Sequence, residues 1–152
     1  MNDMEAIDAW VGALLARLTP ARRLAVNRAV ALELRRSQRQ RIAAQRNPDG
    51  SPYKARAPQP KGLRERAGKI RRRSMFAKLR TVRNLKHSAT ADDLAVGFSG
   101  RSAQIAQAHQ EGSVRKARSG QRFVTPARIL IGLSNQDLEL VQDTYLRLLA
   151  SE

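Results

Sequence analysis

The sequence predicts an α+β fold: an N-terminal helical hairpin, a small antiparallel sheet, a long C-terminal helix and one extended basic loop. Three observations predict it. Apolar residues recur at three- and four-residue intervals at both ends of the chain, the spacing that places them in one stripe on a helix. Short apolar runs bounded by turn-forming residues lie between them and read as strands. A run of cations, broken by proline and glycine, separates the helical start from those strands. The 152 residues make a single domain, 1–152, with a modest core and no room for a second sizeable one.

The first helix is read from Ile7, Trp10, Val11, Leu14, Leu15 and Leu18. Asn2 or Asp3 can cap it, and the early carboxylates suit the positive end of its dipole. Trp10 reads as a core anchor. Thr19 and Pro20 start a second helix, the threonine as cap and the proline at the first position, where its missing N–H costs nothing. That helix runs to about Gln45, with Leu24, Ala25, Ala29, Val30, Leu32 and Leu34 on its apolar side. Arg22, Arg23, Arg28, Arg35, Arg36, Arg39, Arg41 and Arg46 supply the rest. So short a joint predicts a helical hairpin or a bent pair.

Asn47-Pro48-Asp49-Gly50-Ser51-Pro52 is dense in turn residues and ends the second helix. From Lys54 to Lys86, thirteen lysines and arginines meet only Glu65, a local net charge of +12. Residues 54–73 include Lys61, Arg64, Arg66, Lys69, Arg71, Arg72 and Arg73 and have almost no periodic apolar positions. Self-repulsion and the lack of core residues predict a mobile basic arm in the free protein. Its density favours binding to a polyanion or a protein partner; a solvated surface loop is the alternative.

Met75, Phe76, Leu79, Val82 and Leu85 fit a short helix or its transition into a strand. Residues 87–90 and 94–98, joined by Ala91-Asp92-Asp93, read as a β-hairpin. Ser102 to Glu111 is the next helix, with Ile105, Ala106 and His109 along one side. Gly112 ends it, because a residue without Cβ suits a left-handed turn. A basic, glycine-containing loop follows, and Arg122 to Thr125 supplies a third strand of the same small sheet. Pro126 cannot donate to a ladder and marks an edge or strand end. Ser134 and Asp137 form a capping box with Asp in place of Glu. Leu138, Leu140, Val141, Tyr145, Leu146 and Leu149 make the buried face of the last helix.

Ile105 to Leu133 therefore holds apolar segments on either side of an exposed basic loop. It reads as an assembly surface or as an ordinary connection in an α+β domain. Arg128, leaving a proline turn between apolar neighbours, is placed to fix a carboxylate or helix-end carbonyls. Glu111 is the preferred partner, within one subunit or across a joint between two.

Charge bounds the function. The chain has 29 Lys and Arg against 13 Asp and Glu, a formal +16, and should adhere to nucleic acid, acidic protein or anionic lipid. Charge alone does not choose among them, although aromatics at 4% argue against base stacking. Zero cysteines exclude disulfides, thiolate metal sites and cysteine nucleophiles. The acidic start, with Asp3, Glu5 and Asp8, lacks a basic-then-apolar leader. No apolar run approaches the roughly 20 residues of a membrane span. A soluble, intracellular protein with no membrane partner is expected. His87 and His109 lack a carboxylate pair or a nucleophilic hydroxyl at a recognisable spacing, and His109 reads as a packing residue. Gly97 to Gly100 is no phosphate-cradling loop. The chain reads as a non-enzyme with no catalytic residue, metal or cofactor.

The run Ile105-x-x-x-His109-Gln110-Glu111-Gly112, then Pro126-Ala127-Arg128 and Ile131-Gly132-Leu133-Ser134, resembles the phage virion morphogenesis family. These are tail-completion proteins (protein S type) of contractile-tailed phages. Asn47 to Tyr53, Met75-Phe76-x-Lys78-Leu79-Arg80 and Val96-Gly97-Phe98 before Gly100-Arg101 extend the resemblance over roughly Leu14 to Leu149. It implies a structural virion protein that completes or terminates the tail and prepares it to join the head. A ring, most simply of six copies, is implied, at the tail end or neck of the virion after assembly in the host cytoplasm. Its partners would be itself, tail tube or sheath proteins and head–tail connector proteins, with non-specific contact to phage DNA. A closed ring needs two different patches per subunit. Ile105, His109, Glu111, Gly112, Pro126 and Arg128 are the candidates on one side, and the exposed side of the N-terminal helices on the other. A non-sequence-specific nucleic-acid-binding protein acting through residues 54–86 is the alternative.

Overall fold

Thr19 and Pro20 start the long helix α1, Pro20–Ala43, with the threonine hydroxyl accepting the Arg22 backbone N–H at 3.2 Å. A computed structural model describes residues 16–56 and 74–151, together with positions 9 and 13. Ala9, Ala13 and Ala16 are helical, as the first predicted helix requires. Ile7, Trp10, Val11, Leu14 and Leu15 lie outside the described residues. So do residues 57–73, and with them Lys61, Arg64, Arg66, Lys69, Arg71, Arg72 and Arg73.

α1 buries Val26, Asn27, Val30, Ala31, Leu34, Gln38 and Ile42. These residues recur every three or four positions and form one stripe. The predicted apolar side is rotated from it: Ala25 is exposed, and Leu24, Ala29 and Leu32 are half-buried. With alanine, leucine and valine on several sides of α1, apolar identity alone does not single out one face. Asn27 and Gln38 are buried because each has partners elsewhere in the fold.

The last helix, α3, Asn135–Ala150, runs antiparallel to α1. At its start, Ser134 and Asp137 cap one another, as the spacing predicts. Ser37 and Gln38 of α1 both donate to the Asp137 carboxylate, Gln38 at 3.1 Å. At its end, the Arg22 guanidinium donates to the carbonyls of Leu148 and Ser151 at 2.6 and 2.9 Å, satisfying acceptors that a helix terminus leaves open. α3 buries Asp137 and Thr144, and Tyr145 beside Thr144 reaches Asn27 of α1. Leu138 and Leu146 stand exposed, at 47% and 68%, a correction to the buried face predicted for this helix.

β1, Leu85–Ala89, and β2, Leu94–Phe98, form an antiparallel hairpin in register from Leu85↔Phe98 to Ala89↔Leu94. The Thr90 hydroxyl accepts the N–H groups of Asp92 and Asp93 and shapes the turn. The hairpin lies on α1, where the Asn27 amide donates to the carbonyls of Thr90 and Ala91 and accepts the Tyr145 hydroxyl at 2.7 Å. One buried asparagine thus joins two helices and a turn. Residues 75–84 form turns where a short helix was one of the two expectations; Phe76 has φ +64°, off the helical path.

α2, Arg101–Gln110, packs on β2, and β3, Ser113–Lys116, and β4, Arg122–Thr125, follow it. Here the sequence expectation needs correcting. The basic stretch after Gly112 begins as strand β3, and β4 pairs with it rather than with the first hairpin, so two two-stranded sheets replace one. Closing a five-residue turn, Ala117 to Gln121, costs less entropy than bringing β4 to a distant strand. A core of Ile42, Tyr53, Leu79, Ala106 and Leu130, with Met75, Phe76 and Phe98 against it, joins α1, α2 and the chain before α3. No described helix is long and apolar enough to cross a membrane.

Candidate functional site

The site predicted around Gly112 and Arg128 is a packed junction where α2, β4 and residues 53–55 meet. Gly112 has φ +76°, the left-handed conformation its place after α2 predicts. A Cβ there would stand 3.1 Å from the Thr125 carbonyl oxygen and 3.2 Å from the Ala127 nitrogen. The chain leaving α2 therefore lies almost against the chain leaving β4. One residue past Ala127, the Arg128 N–H donates to the His109 carbonyl at 2.7 Å and ties the same two segments together.

Arg128 is 3% exposed. Its Nε donates to the Lys54 carbonyl at 2.7 Å and its Nη2 to the Ala55 carbonyl at 2.9 Å, a fork on two successive peptide groups. Nη1 lies 3.4 Å from His109 Nδ1. Arginine only donates, so Nδ1 is the acceptor and the imidazole proton sits on Nε2. Burial pushes the His109 imidazole below its ordinary value, and the charges of Arg128 and Arg115 add to the effect. Burial also lowers Arg128, with Arg56 adding to it, yet a guanidinium keeps its proton. Phe76 meets the His109 ring edge-on at 4.8 Å and Tyr53 at 5.7 Å. His109 is thus a packing residue with an arginine over one nitrogen.

Glu111 is exposed and takes a bond from Gln107 at 3.2 Å, so within the subunit Arg128 is held by peptide carbonyls and not by Glu111. Ile105 is 44% exposed although its neighbour Ala106 is buried, and Pro126 is half-buried. Of the six predicted residues the fold brings His109, Gly112, Pro126 and Arg128 together and leaves Ile105 and Glu111 facing solvent.

Sequence reasoning missed the amides that hold the chain beyond Arg128. Gln110 Oε1 accepts the N–H groups of Leu130 and Ile131, and its Nε2 donates to the Ile131 carbonyl. Asn47 Oδ1 accepts the Ile129 N–H. Arg41, assigned to the cationic side of α1, reaches the carbonyls of Ile129 and Leu130 at 3.0 and 2.8 Å. Gln45 Oε1 accepts the Met75 N–H at 2.8 Å. The basic segment outside the described residues is therefore held at both roots, by Arg128 at Lys54 and Ala55 and by Gln45 at Met75. Among the described residues no group of three or more His, Asp and Glu stands where it could hold a metal ion.

Comparison with known proteins adds what geometry cannot. A model of the phage virion morphogenesis family matches residues 2–150. The chain is 34% identical over 148 residues to tail completion protein S of Escherichia phage P2, covering 96% of this chain and 97% of that protein. No solved structure matches.

Proposed function

The chain belongs to the phage virion morphogenesis family, a structural component of phage tails, and from that premise we propose that it completes or terminates the tail and prepares it for stable joining to the head. The observation that carries this is the end-to-end match to a tail completion protein, which leaves neither chain a long unmatched segment. The geometry supports it in a second way. Ile105, Ile129, Leu133, Leu138 and Leu146 all stand exposed around the junction and α3, apolar side chains that a neighbouring protein could cover.

The form proposed is a ring of six on the tail end, at the neck of the virion, put together in the host cytoplasm. Residues 105–112 and 125–129 supply one patch and the N-terminal helices the other, as a closed ring demands. Tail tube or sheath proteins lie on one side and connector proteins on the other. The chain acts by binding and not by catalysis. Residues 54–73 supply the basic arm that meets these partners. A second reading rests on the +12 charge of residues 54–86: contact with DNA phosphates without regard to sequence.

Mass measurement on the isolated protein and on tails carrying it tests the ring. Multiple copies per tail are expected, and one copy in both settings overturns the ring. Exchanging Arg71, Arg72 and Arg73 for serine separates the two uses of the arm. Loss of head joining with DNA affinity unchanged supports protein docking; salt-sensitive DNA affinity lost with the triple change supports the second reading.

A further inference from the structure

We propose that the β3–β4 ribbon is a docking surface for a protein patch that is acidic around an apolar centre. This deepens the reading of the chain as a tail component and rests on it, since the neighbour is then another protein of the tail or neck.

The ribbon is two strands of four residues that pack chiefly on each other. A lone two-stranded hairpin is marginal in water. The register places Val114 opposite Val124, with Lys116 opposite Arg122 one step along the same face. The other face has Phe123 opposite Arg115. Val114 and Val124 are each 65% exposed and Phe123 50%, so large apolar side chains stand in water on both faces. Each strand also has an open edge among the described residues, able to pair with a further strand.

The occupant follows from charge. Arg115, Lys116, Arg118 and Arg122 are exposed, and no Asp or Glu occurs from Gly112 to Gln136. A second copy of the ribbon would bring four cations against four, and like charges opposed across strands repel. An acidic partner removes that repulsion. A DNA backbone would satisfy the cations but leave the valine pair without an apolar counterpart, and a stacked duplex offers Phe123 no open base face. A protein patch answers both parts. The base of the ribbon is also preset in direction: Gly112 lies against Thr125, and the Arg128 N–H bond to His109 anchors the chain that leaves β4. Less motion is then lost on docking.

The test uses the full chain, tails assembled in its absence, and a short duplex DNA. One variant is Val114→Ser with Val124→Ser; another changes Arg115, Lys116, Arg118 and Arg122 to Ser; Ala95→Ser, at an exposed alanine of β2, is the control. Circular dichroism and unfolding midpoints establish that each folds. The wild type and the control should co-sediment with tails, and each ribbon variant should lose roughly tenfold or more in affinity. The loss in the charge variant should shrink as salt rises. Failure of the wild type to bind tails overturns the tail-component reading and this proposal together. Ribbon variants that bind tails like the wild type overturn the ribbon alone. Variants that keep tail binding but lose the duplex DNA make the ribbon a nucleic-acid contact and also overturn it.

Discussion

Gly112→Ala tests whether the junction between α2 and β4 is as closely packed as its distances say. Alanine at φ +76° costs about 1 kcal/mol for the left-handed conformation alone. Its Cβ would also stand 3.1 Å from the Thr125 oxygen and 3.2 Å from the Ala127 nitrogen, both backbone atoms. They have to yield by a few tenths of an ångström. They are held on one side by the Ser113↔Thr125 pair of the ribbon and on the other by the Arg128 N–H to His109. The crowding adds about 1–2 kcal/mol. Gly50 isolates that addition, for it has φ +84° and nothing within 4 Å of an added Cβ. Gly50→Ala should cost about 1 kcal/mol and Gly112→Ala about 2–3 kcal/mol. Urea unfolding with an unchanged slope measures the difference as a shift of midpoint. In thermal unfolding the two variants should lie about 3–6 °C apart for a chain of this size. Equal costs at the two glycines would refute a rigid junction.

Four further substitutions test the polar groups of the fold. Burial alone would raise the Asp137 carboxyl, but bonds from Ser37 and Ser134 and the charge of Arg41 outweigh it and hold the group below its ordinary 3.8. That stability is full above the ordinary value and is lost as pH falls below it through the lower folded value; Asp137→Asn should flatten the acid limb of a stability–pH curve, and an unchanged limb counts against the network. The His109 imidazole is also lowered, so the unfolded chain takes up a proton first and stability should drop as pH falls below 6.5; His109→Gln should remove part of that slope, read by chemical denaturation at pH 7.5, 6.5 and 5.5. Glu111→Arg should leave stability within about 0.5 kcal/mol, because Glu111 is exposed and Arg128 does not use it. Arg128→Glu should cost roughly 3–5 kcal/mol by setting a buried anion against the Lys54 and Ala55 carbonyls. Stability regained in the double exchange would show that the two side chains do pair.

The elements that sequence reading located are those whose cause is local. Thr19 with Pro20, Ser134 with Asp137, and Gly112 each meet a requirement of the backbone within a few residues, so their chemistry is written in order along the chain. The α+β class, the first hairpin and the helix before Gly112 follow from the same kind of signal. So does the family, through motifs spread along the chain. What the sequence left open depended on which distant segments meet. Leu138 and Leu146 read as core because leucine at helical spacing is usually buried, yet the stripe facing α1 is set by where Asp137 finds Ser37 and Gln38. Sequence reading places β4 in the first sheet and the fold pairs it with β3, since nothing in Arg122 to Thr125 states whether a near or a far strand will pair with it. For Arg128 the sequence offers a carboxylate or helix-end carbonyls; a carboxylate is visible in a sequence and a particular peptide carbonyl is not, because every residue has one. Only the fold, by bringing residues 54–55 to Arg128, decided that those carbonyls and not Glu111 hold the arginine.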